Sequence, residues 1–150
     1  AGPNLARAAR VSAPDASTAG APAASSPAAL LTDGKADVSD NAGRWLYRGP
    51  LPHAAEFTWN EAVSIGAARI VSGYFNGAVS APIADFVLQW HDGTAWKDIA
   101  GTAVTGNREP YWNRTFPTVK ATKIRLWITA TQIDVSRIWE VEFYGAVTDP

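Results

Sequence analysis

From Ala54 onward the chain reads as a series of β-strands, several of which alternate polar and apolar residues with period two. Glu56-Phe57-Thr58-Trp59 alternates in this way, and Ala68 to Phe75 continues as an apolar run rich in β-branched and aromatic residues. A period of two sends successive side chains to opposite faces of an extended strand. Asp85 to Trp90 predicts a further strand, and Asp92-Gly93 after it is a hairpin signal, with Trp96 and Ile99 on the return. From Thr122 to Thr129, Ile124, Leu126 and Ile128 share one face. Ile138 to Tyr144 points Val141 and Phe143 one way and Glu140 and Glu142 the other. Gly, Pro and Asn fill the intervening segments, no helical period lasts beyond a turn or two, and no internal repeat is present. The pattern predicts an all-β protein, an antiparallel β-sandwich or jelly roll.

The first thirty residues differ. They are dominated by Ala, Ser and Pro, and Pro14, Pro22 and Pro27 break any helix. The stretch reads as a linker, or as a short first strand built from Asn4-Leu5-Ala6 and Val11-Ser12-Ala13. A length of 150 residues fits one domain with a sizeable core, residues 1–3 and 146–150 being linker ends. Termini near Leu5 and Gly145 are expected to lie close together, as in a module strung between others. The missing methionine, even at position 1, points to a mature or excised piece of a longer protein.

Composition narrows the function classes. A net charge of −1 gives no electrostatic reason to expect nucleic acid or an anionic membrane as partner. No apolar run reaches the length of a membrane span. Cysteine is absent, so disulfides and thiol chemistry are excluded, and any metal site is built from oxygen or histidine. Seven tryptophans exceed what a core of this size ordinarily needs, and surplus indoles often offer a flat apolar face to a ligand.

Three groups of residues carry candidate chemistry. Asp33, Asp37 and Asp40 lie within one Gly-containing loop, where carboxylates and carbonyls on irregular backbone can hold a hard cation. The spacing is not that of an EF-hand, and a solvated acidic turn is the simpler reading of the cluster alone. The segment Thr105 to Arg114 joins Asn107 and Arg108 to the adjacent aromatics Tyr111 and Trp112. An aromatic ring stacks on the apolar C–H face of a sugar while amide and guanidinium groups bond its hydroxyls. The alternative is that Tyr111 or Trp112 caps the core and Arg108 is solvated. Similar chemistry occurs around Arg48 and His53, and at Tyr74 and Asn76 between Gly73 and Gly77. His53 reads first as a structural hydrogen-bonding group and Trp45 as core. Catalysis is not expected: Glu140 and Glu142, about 7 Å apart along a strand, are the one carboxylate pair with glycosidase-like spacing, and neighbouring strand carboxylates usually form a solvated face. Asn113-Arg114-Thr115 is also a glycosylation sequon, meaningful only in a eukaryotic secretory host.

The ordered combination of Asn4-Leu5-Ala6, Leu31-Thr32-Asp33-Gly34, Pro52 to Phe57, Ile83 to Trp90, Asp92-Gly93, Trp96, Gly106-Asn107, Ala121 to Leu126 and Arg137 to Val141 resembles the coagulation factor V/VIII type C, or discoidin, domain. That family is a galactose-binding-like jelly roll common among bacterial carbohydrate-binding modules, and the resemblance covers nearly the whole chain. It implies a structural calcium ion held by the Asp33 and Glu140 side chains and by carbonyls of Leu30, Lys35 and Trp139. Ser39 is the counterpart of a further loop ligand, which Asp37 or Asp40 could replace because the stretch from Lys35 to Trp45 is longer than usual. The resemblance also implies ligand-binding loops at one end of the sandwich, and hence a glycan partner. The expected protein is a secreted, extracellular or periplasmic module, tethered to a polysaccharide-active enzyme or surface protein. A lipid- or protein-binding discoidin domain is the alternative.

Overall fold

A computed structural model describes residues 2–15, 18 and 26–145. Nine strands follow in chain order: β1 (Arg10–Ser12), β2 (Trp45–Tyr47), β3 (His53–Ser72), β4 (Tyr74–Phe75), β5 (Val79–Ser80), β6 (Asp85–His91), β7 (Trp96–Asp98), β8 (Tyr111–Ala130) and β9 (Ser136–Tyr144). All pairings among them are antiparallel.

The two longest strands make the sandwich. Twenty extended residues would span about 65 Å, yet both ends of β3 meet the start of β9. His53 Nε2 lies 2.8 Å from Ser136 Oγ, and Gly73 N–H donates to Arg137 O at 2.9 Å. β3 therefore folds back on itself, where its pairing with β8 breaks between Thr58 and Val63 beside the exposed Asn60 and Glu61. β8 turns with it. The first half of β3 and second half of β8 form one layer with β1, β6 and β7, and their other halves form the second layer with β9 and β2. Sequence periodicity separated Glu56–Trp59 from Ala68–Phe75 because it does not register a bend within a continuous strand.

The alternating residues fill the space between the layers. Ile124, Leu126, Ile128, Val141 and Phe143 are all fully buried, and Phe57 meets Phe143 edge-on at 5.0 Å. Burying each such side chain contributes roughly 1.5–3 kcal/mol. At the N-terminus the expected strand at Asn4-Leu5-Ala6 is instead a 3-10 turn, Leu5–Ala8, because Asn4 Oδ1 accepts the Ala6 N–H and caps it. The same oxygen accepts the Phe143 N–H at 3.0 Å, so the two ends of the chain meet as expected. Residues 146–150, and Pro22 with its neighbours, lie outside the described residues.

Candidate functional site

Four segments gather at the end of the sandwich where β3 begins and ends: 48–52, 73–84, 105–110 and 131–135. Asn107 fastens two of them, 73–84 and 105–110. Its amide donates to Ile83 O at 2.9 Å and to Glu109 O at 3.2 Å, its Oδ1 accepts the Glu109 N–H, and its own N–H donates to Ala84 O. Asn107 is 5% exposed. It is a positioning residue here, not the sugar contact expected from sequence, because its side-chain amide and backbone N–H already have partners inside the protein. Asn107→Ala is expected to destabilise the fold by about 2–3 kcal/mol, two to three buried hydrogen bonds at roughly 1 kcal/mol each, read as a lower urea midpoint.

Two other expected contacts are withdrawn from solvent. Trp112 is 1% exposed and packs edge-on against Phe86 at 5.2 Å. The segment from Tyr111 onward is strand, with Tyr111 paired to Val71 and Trp112 to Ile70, and this pairing aims Trp112 inward and Tyr111 outward. His53 is 7% exposed, held between Pro50 O and Ser136 Oγ and packed edge-on against Trp45 and Tyr47. Burial lowers its pKa from the ordinary histidine value, which favours the neutral ring.

The remaining candidates are open to solvent. Tyr74 is 41% exposed and Tyr111 44%, and Arg48, Asn76 and Arg108 are exposed. Tyr74 and Tyr111 sit in different settings. Tyr111 lies on the outer face of the second layer, with the Arg69 guanidinium 5.7 Å from its ring and Arg69 already paired to Glu142 at 3.4 Å. Tyr74 opens the small β4–β5 hairpin at the loop end. Gly73, at φ +133, makes that turn possible, since a Cβ there would lie 2.5 Å from Ser80 O.

The Tyr74 hairpin is braced by Asn41, which exchanges two hydrogen bonds of 2.9 Å with the Phe75 backbone, and by Arg44, which donates to Asn41 O and Gly73 O. Arg44 was not singled out by the sequence, whose one local signal was its place beside Trp45. Two guanidinium groups attend the ring, Arg44 at 5.8 Å and Arg137 at 5.3 Å from its centroid. Beyond Ser80, which pairs with Tyr74, a depression of about 580 Å³ is lined by Val79, Ser80, Ala81, Pro82, Arg108 and Gln132. Ala81 takes a left-handed backbone (φ +53) at its edge, a conformation that costs energy in a residue with a Cβ and is commoner at binding sites than elsewhere.

The Asp33 loop lies against β9. Asp33 follows the 3-10 turn Ala28–Thr32, and its Oδ1 accepts the Lys35 N–H at 2.9 Å. Glu140 is 1% exposed: its Oε2 accepts the Gly34 N–H at 3.0 Å, and its Oε1 is buried with no hydrogen-bond partner. Burial pushes the Glu140 carboxyl up to about 8, against the lowering effect of the Gly34 bond and with a further push from Asp33. Trp139 falls in a register shift, Val71 pairing with Glu140 and Ser72 with Ile138, so it lacks a partner on β3. Its Nε1–H donates to Asp40 O at 2.8 Å. Ser39 turns toward Asp37 through both its N–H and its hydroxyl, and Asp40 caps the Asn41–Gly43 turn. Among the described residues no three His, Cys, Asp or Glu side chains gather as a metal cluster, so a cation here would depend on carbonyl oxygens. Glu142 is engaged elsewhere, with Arg69 and the Tyr144 hydroxyl.

A feature with no sequence signal lies on the outer face of the first layer. The Arg125 guanidinium sits 4.3 Å from the rings of both Trp96 and Trp127, and its Nε–H donates to Gln89 at 2.7 Å. Two of the seven tryptophans are thus used in a cation–π stack.

These features define an antiparallel β-sandwich with loop-borne polar and aromatic groups at one end, a fold shared with solved carbohydrate-binding modules. No protein-family model matches the sequence, and no curated protein matches it. Solved structures do. A family 32 carbohydrate-binding module of C. perfringens NanJ, in complex with galactose, matches with a TM-score of 0.69 and 15% identity over 93% of this chain and 96% of that one. Chitosan-binding module 2 of a Paenibacillus sp. IK-5 chitosanase/glucanase, in complex with chitotriose, matches with a TM-score of 0.71 and 21% identity over 95% and 100%. The structure of SpGH29 matches with a TM-score of 0.73 and 22% identity over 97% of this chain, which spans 28% of that longer protein. At these identities the likeness establishes the fold.

Proposed function

We propose that this chain is a non-catalytic carbohydrate-binding module of discoidin type that holds a glycan at the Tyr74 end of the sandwich. The observation that carries this reading is an exposed, backbone-braced aromatic ring flanked by arginine, with Asn76 in the same hairpin. The ring stacks on a sugar's C–H face, Asn76 and Arg48 bond its hydroxyls, and Arg108 reaches from across the adjoining depression. The galactose- and chitotriose-bound modules of the same fold support it. The module is read as tethered to a polysaccharide-active protein outside the cell or in the periplasm, and the match to part of the longer SpGH29 chain accords with that.

Calcium belongs to the same reading. The residues fit: the unpartnered Glu140 Oε1, the adjacent Asp33 carboxylate and the irregular backbone at Trp139 offer oxygens of the kind calcium takes. Leu30 and Lys35 carbonyls complete the proposed set, and among the described residues Arg7, though packed against Gly34, forms no ion pair with either carboxylate. The ion's part is to fasten the Asp33 loop to β9.

A glycan array followed by calorimetry tests the sugar reading. Tyr74→Ala is expected to weaken binding about tenfold or more, equivalent to about 1.4 kcal/mol. Wild-type affinity in that variant, or a blank array, would sink it. A second reading, a lipid-binding discoidin domain, draws on Leu51 at 36% exposure and Ile133 at 73% on loops of the same end. Sedimentation with phosphatidylserine vesicles separates the two.

A further inference from the structure

We propose that the glycan taken at Tyr74 carries an anionic group, a carboxylate or a sulfate, which is received by Arg137. This rests on the reading of the Tyr74 end as a glycan site and adds the chemical class of the ligand.

Two arginines, Arg44 and Arg137, converge on one ring, and the Arg48 charge acts on Arg137, in a chain whose net charge is −1, so the cluster does not reflect a generally basic surface. Their engagement differs. Arg44 is buried and uses its Nε–H and Nη1–H on the carbonyls of Asn41 and Gly73, and it also lies 5.5 Å from the Trp139 ring. It serves the hairpin. Arg137 is half-buried beside Tyr74, and Arg48 is exposed. Neither guanidinium has a hydrogen bond or ion pair among the described residues, whereas Arg10, Arg69, Arg114 and Arg125 all bond acidic or amide side chains.

Packing cations together without a counter-charge is costly, because burial removes water and like charges repel. Both effects act here. Burial and then the Arg137 charge draw Arg44 below the usual arginine range, and burial and then the Arg48 charge do the same to Arg137. The facing groups are few: Asp40 acts on Arg44 but spends Oδ1 on the Ala42 N–H, and the Tyr74 phenol is the other. An arriving anion relieves the strain that the free protein carries. The guanidinium fork matches a planar carboxylate in a bidentate contact and also suits a sulfate, while the Tyr74 face takes the ring bearing it.

The membrane alternative fits this arrangement less well. The exposed apolar residues, Leu51 and Ile133, lie on segments other than the Tyr74 hairpin, and a ring flanked by guanidinium groups is poorly placed to enter lipid.

The test is calorimetry on the whole chain with oligogalacturonide, a sulfated galactan oligosaccharide, a neutral galactan oligosaccharide and a glucosamine oligosaccharide, in 50 and 500 mM salt. At low salt, one or both acidic ligands are expected to bind at least tenfold more tightly than the neutral one, and the polycationic glucosamine chain not to bind. The preference should shrink in high salt, disappear in Arg137→Gln and partly survive in Arg137→Lys. Which acidic ligand binds distinguishes carboxylate from sulfate. Equal, salt-insensitive binding of neutral and acidic sugars overturns the charge inference while leaving the glycan site standing. Binding to no sugar, with or without binding to phosphatidylserine vesicles, overturns both. If Arg137→Gln does not fold, the wild-type ligand ranking and salt dependence still decide.

Discussion

Trp112→Ala is expected to cost about 3–5 kcal/mol of folding stability, the range for emptying a large aromatic site in a packed core. Trp112 is 1% exposed, lies edge-on to Phe86 and pairs across the strands with the fully buried Ile70. For a domain of this length the loss corresponds to a melting temperature lower by roughly 6–20 °C. Trp112→Phe should be much milder. It keeps an aromatic ring, and it removes an indole N–H that is buried without a partner, a donor whose desolvation costs about 1–3 kcal/mol. Denaturant unfolding of both variants checks the difference. Glycan affinity of the folded Trp112→Phe protein is expected to match wild type. A Trp112→Ala protein with wild-type stability and lost sugar binding would reverse the assignment and restore Trp112 as a contact.

Calcium is expected to raise the melting temperature of chelated protein by roughly 5–10 °C at a hundredfold excess over its dissociation constant, from about 2.7 kcal/mol of linkage. The effect should depend on pH. In the metal-free fold Glu140 holds its proton until about pH 8, whereas an unperturbed glutamate releases it near 4.5. Between those values the folded state binds more protons than the unfolded one, so metal-free stability falls as pH rises. A bound cation favours the ionised carboxylate and removes that loss. Calcium stabilisation should therefore be small near pH 5 and largest near pH 8. Melts with calcium and with chelator at pH 5, 6.5 and 8 test this, and Glu140→Gln should abolish the calcium response while flattening the metal-free pH dependence. Identical melts with and without chelator at pH 8 would remove the ion from the account.

The alternating segments from Asp85 to Trp90, Thr122 to Thr129 and Ile138 to Tyr144 are strands of the kind expected, with Phe86, Leu88, Ile124, Leu126, Val141 and Phe143 facing inward. Binding residues were harder to read. Asn107, His53 and Trp112 have the chemistry of sugar contacts, and nothing local distinguishes a polar group aimed at ligand from one spent on a neighbouring loop. Asn107 is withdrawn by bonds to Ile83 and Ala84, and His53 by Ser136. Arg44 and Arg137 went unremarked as binding groups because each lies in a separate apolar strand context, far in sequence from Tyr74.

By itself, then, the sequence determined the all-β class, most strands and the inward face of each, because strand periodicity is written in neighbouring residues and burial follows from it. The tertiary structure alone decided that β3 and β8 fold back to build both layers, that Tyr74 and Tyr111 but not Trp112 are open rings, and that Arg44 and Arg137, distant in sequence, meet beside Tyr74. Those outcomes depend on which distant backbone groups pair and on where a long strand bends, and both are settled by packing across the whole core.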